Sequence, residues 1–126
     1  MKLRFEKNSV RYRIKKSELH QLRKEGFVSD SVTFPGAELT YELRITDVAT
    51  ITPEIVNNTI AIYIPSAIAY QWIDTDEVGI YSSTATGDKT LEIIIEKDFP
   101  CKDRPGEDKS DTFTELVDND DKGKVC

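Results

Sequence analysis

The sequence predicts a β-rich α+β fold of two pseudo-symmetric β-α-β-β repeats forming one barrel- or sandwich-like domain, followed by an acidic flexible C-terminal tail. Three observations predict it. Two segments fifty residues apart carry the same order of turn, strand, helix and hairpin signals; the strand candidates alternate with a period of two; and the apolar pattern stops after Phe99. On this reading residues 1–99 form one domain, its repeats span residues 2–49 and 52–99, and residues 100–126 are the tail.

Setting residue i against i+50 aligns Asn8 with Asn58, Ser9 with Thr59, Val10 with Ile60, Ile14 with Ile64, Gln21 with Gln71, Leu22 with Trp72 and Val28 with Val78. The same spacing pairs Thr40 with Thr90, Leu43 with Ile93 and Ile45 with Ile95. Each repeat starts at a turn, Asn-Ser or Asn-Asn, and enters a strand whose alternate residues are apolar: Val10, Tyr12 and Ile14, then Ile60, Ile62 and Ile64. That period marks a half-buried face. A helix follows over residues 17–25, with Ser17 as its cap, Leu19 and Leu22 on one side and Gly26 as its stop. In the second repeat Pro65 and Ser66 open a shorter helix over residues 66–73, with Ile68 and Trp72 on one face, ending near Asp74 to Asp76. Hairpins close both repeats. One pairs Val28–Phe34 with Leu39–Ile45 across Pro35-Gly36, the other Val78–Ser82 with Thr90–Glu96 across Gly87-Asp88. A repeat of this size cannot enclose a core alone, so the two must bury their apolar faces on each other. The expected core is Val10, Ile14, Leu22, Val28, Ile60, Ile64, Trp72, Val78 and Ile93.

Length and composition agree with one core: 126 residues, 38% of them hydrophobic. Charge is segregated. The first 25 residues hold nine Lys or Arg and three acids, so they carry +6 in a chain of −6, and the remainder carries −12. Lys2, Arg4, Glu6 and Lys7 interrupt any signal-peptide apolar region, and the expected location is the cytoplasm. Residues 55–73 are free of charge for the length of a membrane span, but Asn57, Asn58, Thr59, Pro65, Ser66 and Gln71 fit a buried strand and a short helix instead. Cys101 and Cys126 form no disulfide framework and read as reduced thiols, although one bridge closing the tail stays open.

The stretch TIAIYIPSAIAYQWIDTDEVGIYSSTATGDKTLEIIIEKD resembles the AbrB or MazE type of swapped-hairpin module, in which a strand ending in Ile-Pro leads into a short helix and a closing hairpin. The matching residues are Ile64-Pro65, the helix, and Asp76-Glu77-Val78 opening the hairpin; the first repeat has Lys15 where Pro65 stands. Two such units in one chain are similar to the tandem arrangement of MraZ-like proteins. Separately, TDEVGI with the following EKDFPC and an acidic segment resembles a group of short bacterial proteins of unknown function.

Candidate chemistry is sparse. Arg11, Arg13, Lys15, Lys16, Arg23 and Lys24 cluster around the first strand-helix junction, where cations can neutralise phosphates, and the AbrB resemblance implies DNA contact by arginines of this region. A solvated outer face explains Arg11 and Arg13 somewhat better, since they alternate with inward residues. In the tail, Cys101, Asp103, Glu107, Asp108 and Asp111 are candidate metal ligands without the spacing of a known loop, and a solvated acidic run explains them better. A Cys101–His20 nucleophile pair needs the tail folded back on the first helix. Glu96, Lys97 and Asp98 can form an acid-base group or a solvated strand end. There is no Gly-rich phosphate loop, CxxC pair or nucleophile elbow, and the alternating ExExK pattern of triphosphate tunnel enzymes is missing. The function expected is a non-catalytic binding module with no cofactor and no membrane contact, an AbrB-like regulator holding nucleic acid through its basic first repeat. The alternative is an antitoxin-like module whose tail binds a partner protein through Phe113, Leu116 and Val117. A small metal-dependent enzyme using Cys101 and the tail carboxylates comes third.

Overall fold

The computed structural model describes residues 1–100 and 110–116. The chain runs through β1 (Lys2–Glu6), β2 (Ser9–Ile14), α1 (Lys16–Glu25), β3 (Phe27–Phe34) and β4 (Ala37–Thr46). It then repeats that order in β5 (Thr52–Val56), β6 (Thr59–Pro65), α2 (Ser66–Ile73), β7 (Gly79–Thr86) and β8 (Lys89–Lys97), and a 3-10 turn occupies Thr114–Leu116. Each repeat is therefore β-β-α-β-β. The first strand of each, β1 or β5, is additional to the expected order. Its cause is backbone chirality: Lys7 and Asn8 have φ of 45° and 60°, and Asn57 and Asn58 have 50° and 61°. Two successive positive φ values make a type I′ turn, whose twist folds one strand back on another.

The sheets exchange hairpins between repeats. One sheet has the order β1-β2-β8-β7 and the other β3-β4-β6-β5. The parallel pairs β2 with β8 and β4 with β6 thus bind the closing hairpin of each repeat to the opening hairpin of the other. Equivalent bonds secure both seams, Thr40 N–H donating to the Asn58 carbonyl at 2.9 Å and Glu92 N–H to the Asn8 carbonyl at 3.2 Å. The sheets do not close into a barrel. Their inner faces share one core of Val10, Tyr12, Ile14, Ile80, Ile93 and Ile95 from the first sheet and Val28, Leu43, Ile62 and Ile64 from the second. Leu22 of α1 and Trp72 of α2, fifty residues apart, are fully buried in it. Each such side chain contributes about 1.5–3 kcal/mol through burial. Tyr12 ties the repeats together, its hydroxyl donating to the Ile60 carbonyl at 3.0 Å.

The equivalence shifts from i+50 to i+52 after the helices. Gly26 alone joins α1 to β3, whereas five residues, 74–78, join the shorter α2 to β7. Val28 therefore corresponds to Ile80, pairing with Leu43 as Ile80 pairs with Ile95. Val78 corresponds instead to Gly26: Ile45 N–H donates to the Gly26 carbonyl and Lys97 N–H to the Val78 carbonyl. So Val78, expected in the core, is 46% exposed, and Ile80 takes its place. Ile60 is only partly buried, and Ile68 points outward while Ala69 packs beside Trp72.

The cap of α1 is Lys15 and not Ser17, which lies inside the helix. Glu18 explains the shift. One of its carboxylate oxygens accepts the Lys15 N–H at 2.9 Å while the other takes the Met1 α-ammonium group, so a single side chain fixes both the helix start and the chain's first residue. Gly26 ends the helix at φ 82°, donating its N–H to the Leu22 carbonyl. No described helix is long and apolar enough to cross a membrane, and residues 55–73 belong to β5, β6 and α2. Of the expected tail, residues 101–109 and 117–126, with Cys101, Asp103, Glu107, Asp108, Val117 and Cys126, lie outside the described residues.

Candidate anion-binding face

On β2 the outward phase belongs to Arg11 and Arg13, because Val10, Tyr12 and Ile14 take the inward one. Register places Arg4 beside Arg11 and Lys2 beside Arg13 on β1, with Ile94 and Glu96 on the β8 side. Several of these cations are already matched: Lys2 with Asp98 at 3.2 Å, Arg4 with Glu6 at 3.3 Å and Arg11 Nε with Glu96 Oε1 at 3.6 Å. The last distance is an ion pair and too long for a hydrogen bond. Glu96 is drawn the other way, its second oxygen accepting the Tyr81 hydroxyl at 2.9 Å.

Arg13 differs from its neighbours. Its Nε and Nη2 are buried and have no hydrogen-bond partner among the described residues, as is also true of Arg11 Nε. Leaving a buried donor unpaired costs about 1–3 kcal/mol, and more when it is charged. Burial lowers the Arg13 pKa, and the like charges of Arg11 and Arg4 add to the effect, while Glu96 and Asp98 oppose it. Burial also raises the Tyr81 pKa, with the bond to Glu96 second.

The other predicted cations divide into two groups. Lys15, Lys16 and Lys24 are exposed at or on α1. Arg23 is committed to the second repeat, pairing with Asp74 at 2.9 Å and stacking 4.9 Å from the centre of the Tyr70 ring. That leaves Arg13, Lys15, Lys16 and Lys24, with Arg11 only loosely paired to Glu96, as the candidate anion-contacting set. Sequence reasoning did not associate Tyr81 and Glu96 with Arg11, because strand alternation reveals a residue's face but not its neighbour across a parallel pair. The pseudo-equivalent face of the other sheet is built differently. Ala61 and Tyr63 replace Arg11 and Arg13, Glu54 replaces Arg4, and Arg44 stands where Glu96 does, stacked 4.5 Å from the Phe27 ring centre.

Glu96, Lys97 and Asp98 do not gather as an acid-base group. Lys97 donates to the Thr75 carbonyl at 2.6 Å and Asp98 pairs with Lys2, while Glu96 faces Arg11 and Tyr81. Trp72 is core, donating Nε1–H to the Val78 carbonyl at 3.0 Å. His20 is exposed on α1, and the Cys101 half of its proposed pair lies outside the described residues. Among the described residues no three His, Cys, Asp or Glu are placed to hold a metal ion, and of the tail candidates only Asp111 is described. A cleft of about 410 Å³ opens between the two opening hairpins, lined by Phe5, Val10, Ile55, Ile60, Ile62 and Leu91 among others. Phe5 and Ile55, equivalent by the fifty-residue shift, are 62% and 74% exposed beside it.

The chain belongs to a family of unknown function (DUF7009), whose family model matches residues 1–116. No curated protein and no solved structure matches it.

Proposed function

We propose that this member of a family of unknown function is a non-catalytic binding module that contacts the phosphate backbone of nucleic acid through the outer face of β2 and the start of α1. The observation that carries the reading is the unpartnered guanidinium edge of Arg13, with Lys15 and Lys16 exposed directly after it. Nothing in the fold requires those charges, since the equivalent residues of the second repeat are Tyr63, Pro65 and Ser66. The exchanged hairpins and the Ile64-Pro65 entry into α2 support an AbrB-like regulator of bacterial type acting in the cytoplasm. A one-sided footprint and a net charge of −6 imply weak affinity with little sequence preference.

Fluorescence anisotropy with a labelled duplex tests the reading. With three or four phosphates neutralised, log affinity should fall with log salt at a slope of about −3, and Arg13→Ala should make it shallower by about one unit. Absence of duplex binding at low salt refutes it. A second reading, a protein partner held by the C-terminal segment, rests on Phe113 and Leu116, which are 73% and 77% exposed around the Thr114–Leu116 turn. Replacing both by serine abolishes partner capture on that reading and leaves duplex binding unchanged on the first.

A further inference from the structure

We propose that Arg11 and Arg13 form a binding site for one phosphate group, reached when the side chains that shield their guanidinium edges swing aside, and that Glu96 is a built-in competitor for it which Tyr81 holds aside. This rests on the phosphate-binding reading of the same face. It adds a defined site and a residue that sets its strength.

Arg11 and Arg13 are two residues apart on one strand face, about 7 Å along the strand. Three of their donor nitrogens, Arg11 Nε and Arg13 Nε and Nη2, are buried without an acceptor among the described residues. The Nε and Nη2 of Arg13 are one edge of the guanidinium fork, the edge that takes two oxygens of a phosphate or carboxylate side by side. A single anion with several oxygens can serve both arginines at once, and a tetrahedral phosphate has the oxygens to do so.

The acceptor nearest at hand is the Glu96 carboxylate, and it falls short. Its Oε1 stops 3.6 Å from Arg11 Nε while its Oε2 accepts the Tyr81 hydroxyl at 2.9 Å. That arrangement depends on Gly79, the register partner of Glu96. A Cβ at Gly79 would lie 2.8 Å from the Ile95 carbonyl oxygen, 2.9 Å from the Tyr81 hydroxyl and 3.0 Å from Glu96 Cγ. Glycine therefore leaves the room in which tyrosine and glutamate meet. The other sheet lacks all of these parts: Phe27, Ser29, Arg44, Ala61 and Tyr63 occupy the equivalent positions of Gly79, Tyr81, Glu96, Arg11 and Arg13. The same backbone thus folds without the constellation.

The two gate residues should act in opposite directions. Glu96→Gln removes the competing charge while keeping an acceptor for Tyr81, and should tighten phosphate binding about fivefold. Tyr81→Phe releases Glu96 toward the arginines, and should weaken binding by a similar factor. The test titrates inorganic phosphate into the full ¹⁵N-labelled chain and follows the arginine Nε–Hε signals, with a short duplex in a parallel series. Saturable shifts confined to Arg11 and Arg13, tightened by Glu96→Gln and weakened by Tyr81→Phe, are the expected result. Arg13→Lys should abolish the effect while leaving the amide spectrum folded. Shifts that ignore both gate substitutions, or none at all while the duplex still binds, overturn the site and leave the nucleic-acid reading standing. Gate-sensitive phosphate binding without duplex binding keeps the site, overturns that reading and assigns it to a small phosphate ester.

Discussion

Replacing Tyr12 by phenylalanine tests how the two repeats are held together. The ring is fully buried, and its hydroxyl is the donor that crosses from β2 to the Ile60 carbonyl of β6 at 3.0 Å. Phenylalanine keeps the packing and removes the bond, which should cost about 1–2 kcal/mol at pH 7. For a body of this size that lowers the melting temperature by roughly 4–8 °C per kcal/mol. The same side chain predicts a pH dependence. Burial first, and the charge of Glu42 second, raise the Tyr12 pKa far above its ordinary 10.0. The unfolded chain therefore loses this proton above pH 10 while the folded chain keeps it. Stability from Tyr12 is fully present below pH 10 and declines above it, by about 1.4 kcal/mol at pH 11. Tyr41, Tyr63 and Tyr81, whose pKa values are also raised, are common to both proteins and cancel in the difference. Urea melts from pH 7 to 11 should thus show the wild type ahead at neutral pH and level with Tyr12→Phe near pH 11. A constant gap across that range, or none at pH 7, would refute the buried inter-repeat bond.

Trp72→Ala should cost about 3–5 kcal/mol, because it empties a fully buried site and removes one of the two hydrogen bonds at the Val78 carbonyl, whereas Val78→Ala should cost under about 0.5 kcal/mol in the same denaturant series. Equal losses would restore the unshifted fifty-residue equivalence. Glu18→Gln should lower stability by about 1–2 kcal/mol, since the charge that holds the Met1 ammonium group is lost while the bond to the Lys15 N–H remains possible. An unchanged melting temperature would remove Glu18 from that role. Gly79→Ala should cost about 1–3 kcal/mol, because its Cβ meets the Ile95 carbonyl at 2.8 Å and the strands must part. A neutral effect by thermal denaturation would mean that β7 does not lie this close to β8.

The sequence shows a residue's face more readily than its neighbour. Alternation at Val10, Tyr12 and Ile14, and at Ile60, Ile62 and Ile64, marks the inward phase of the central strands, and Gly26 marks the end of α1. β1 and β5 escape the same pattern for a physical reason. KLRFE has two apolar residues among charges, and TPEIV contains Pro53, which an edge strand tolerates because its outer N–H has no ladder partner. Nor does periodicity disclose which strands pair: the swapped-hairpin resemblance implies an exchange, but its register and the missing barrel closure come only from the structure. The shift at Val78 follows from connection length, since five residues after α2 do the work of Gly26 after α1. In the candidate site the outward phase of Arg11 and Arg13 was legible. The withdrawal of Arg23 to Asp74 and Tyr70, and the approach of Glu96 to Arg11, depend on contacts distant in sequence.

The two sheets share a backbone plan but carry different outer faces, so one titration can compare them within a single molecule. A short duplex added at low salt to the ¹⁵N-labelled full chain should shift the amide signals of Arg11, Arg13, Lys15 and Lys16 together and leave Ala61, Tyr63 and Glu54 in place. The changes should reverse as salt is raised. Shifts confined to the second sheet or to the cleft around Phe5 and Ile55, or a spectrum untouched by duplex, would contradict the assignment of phosphate binding to the first repeat.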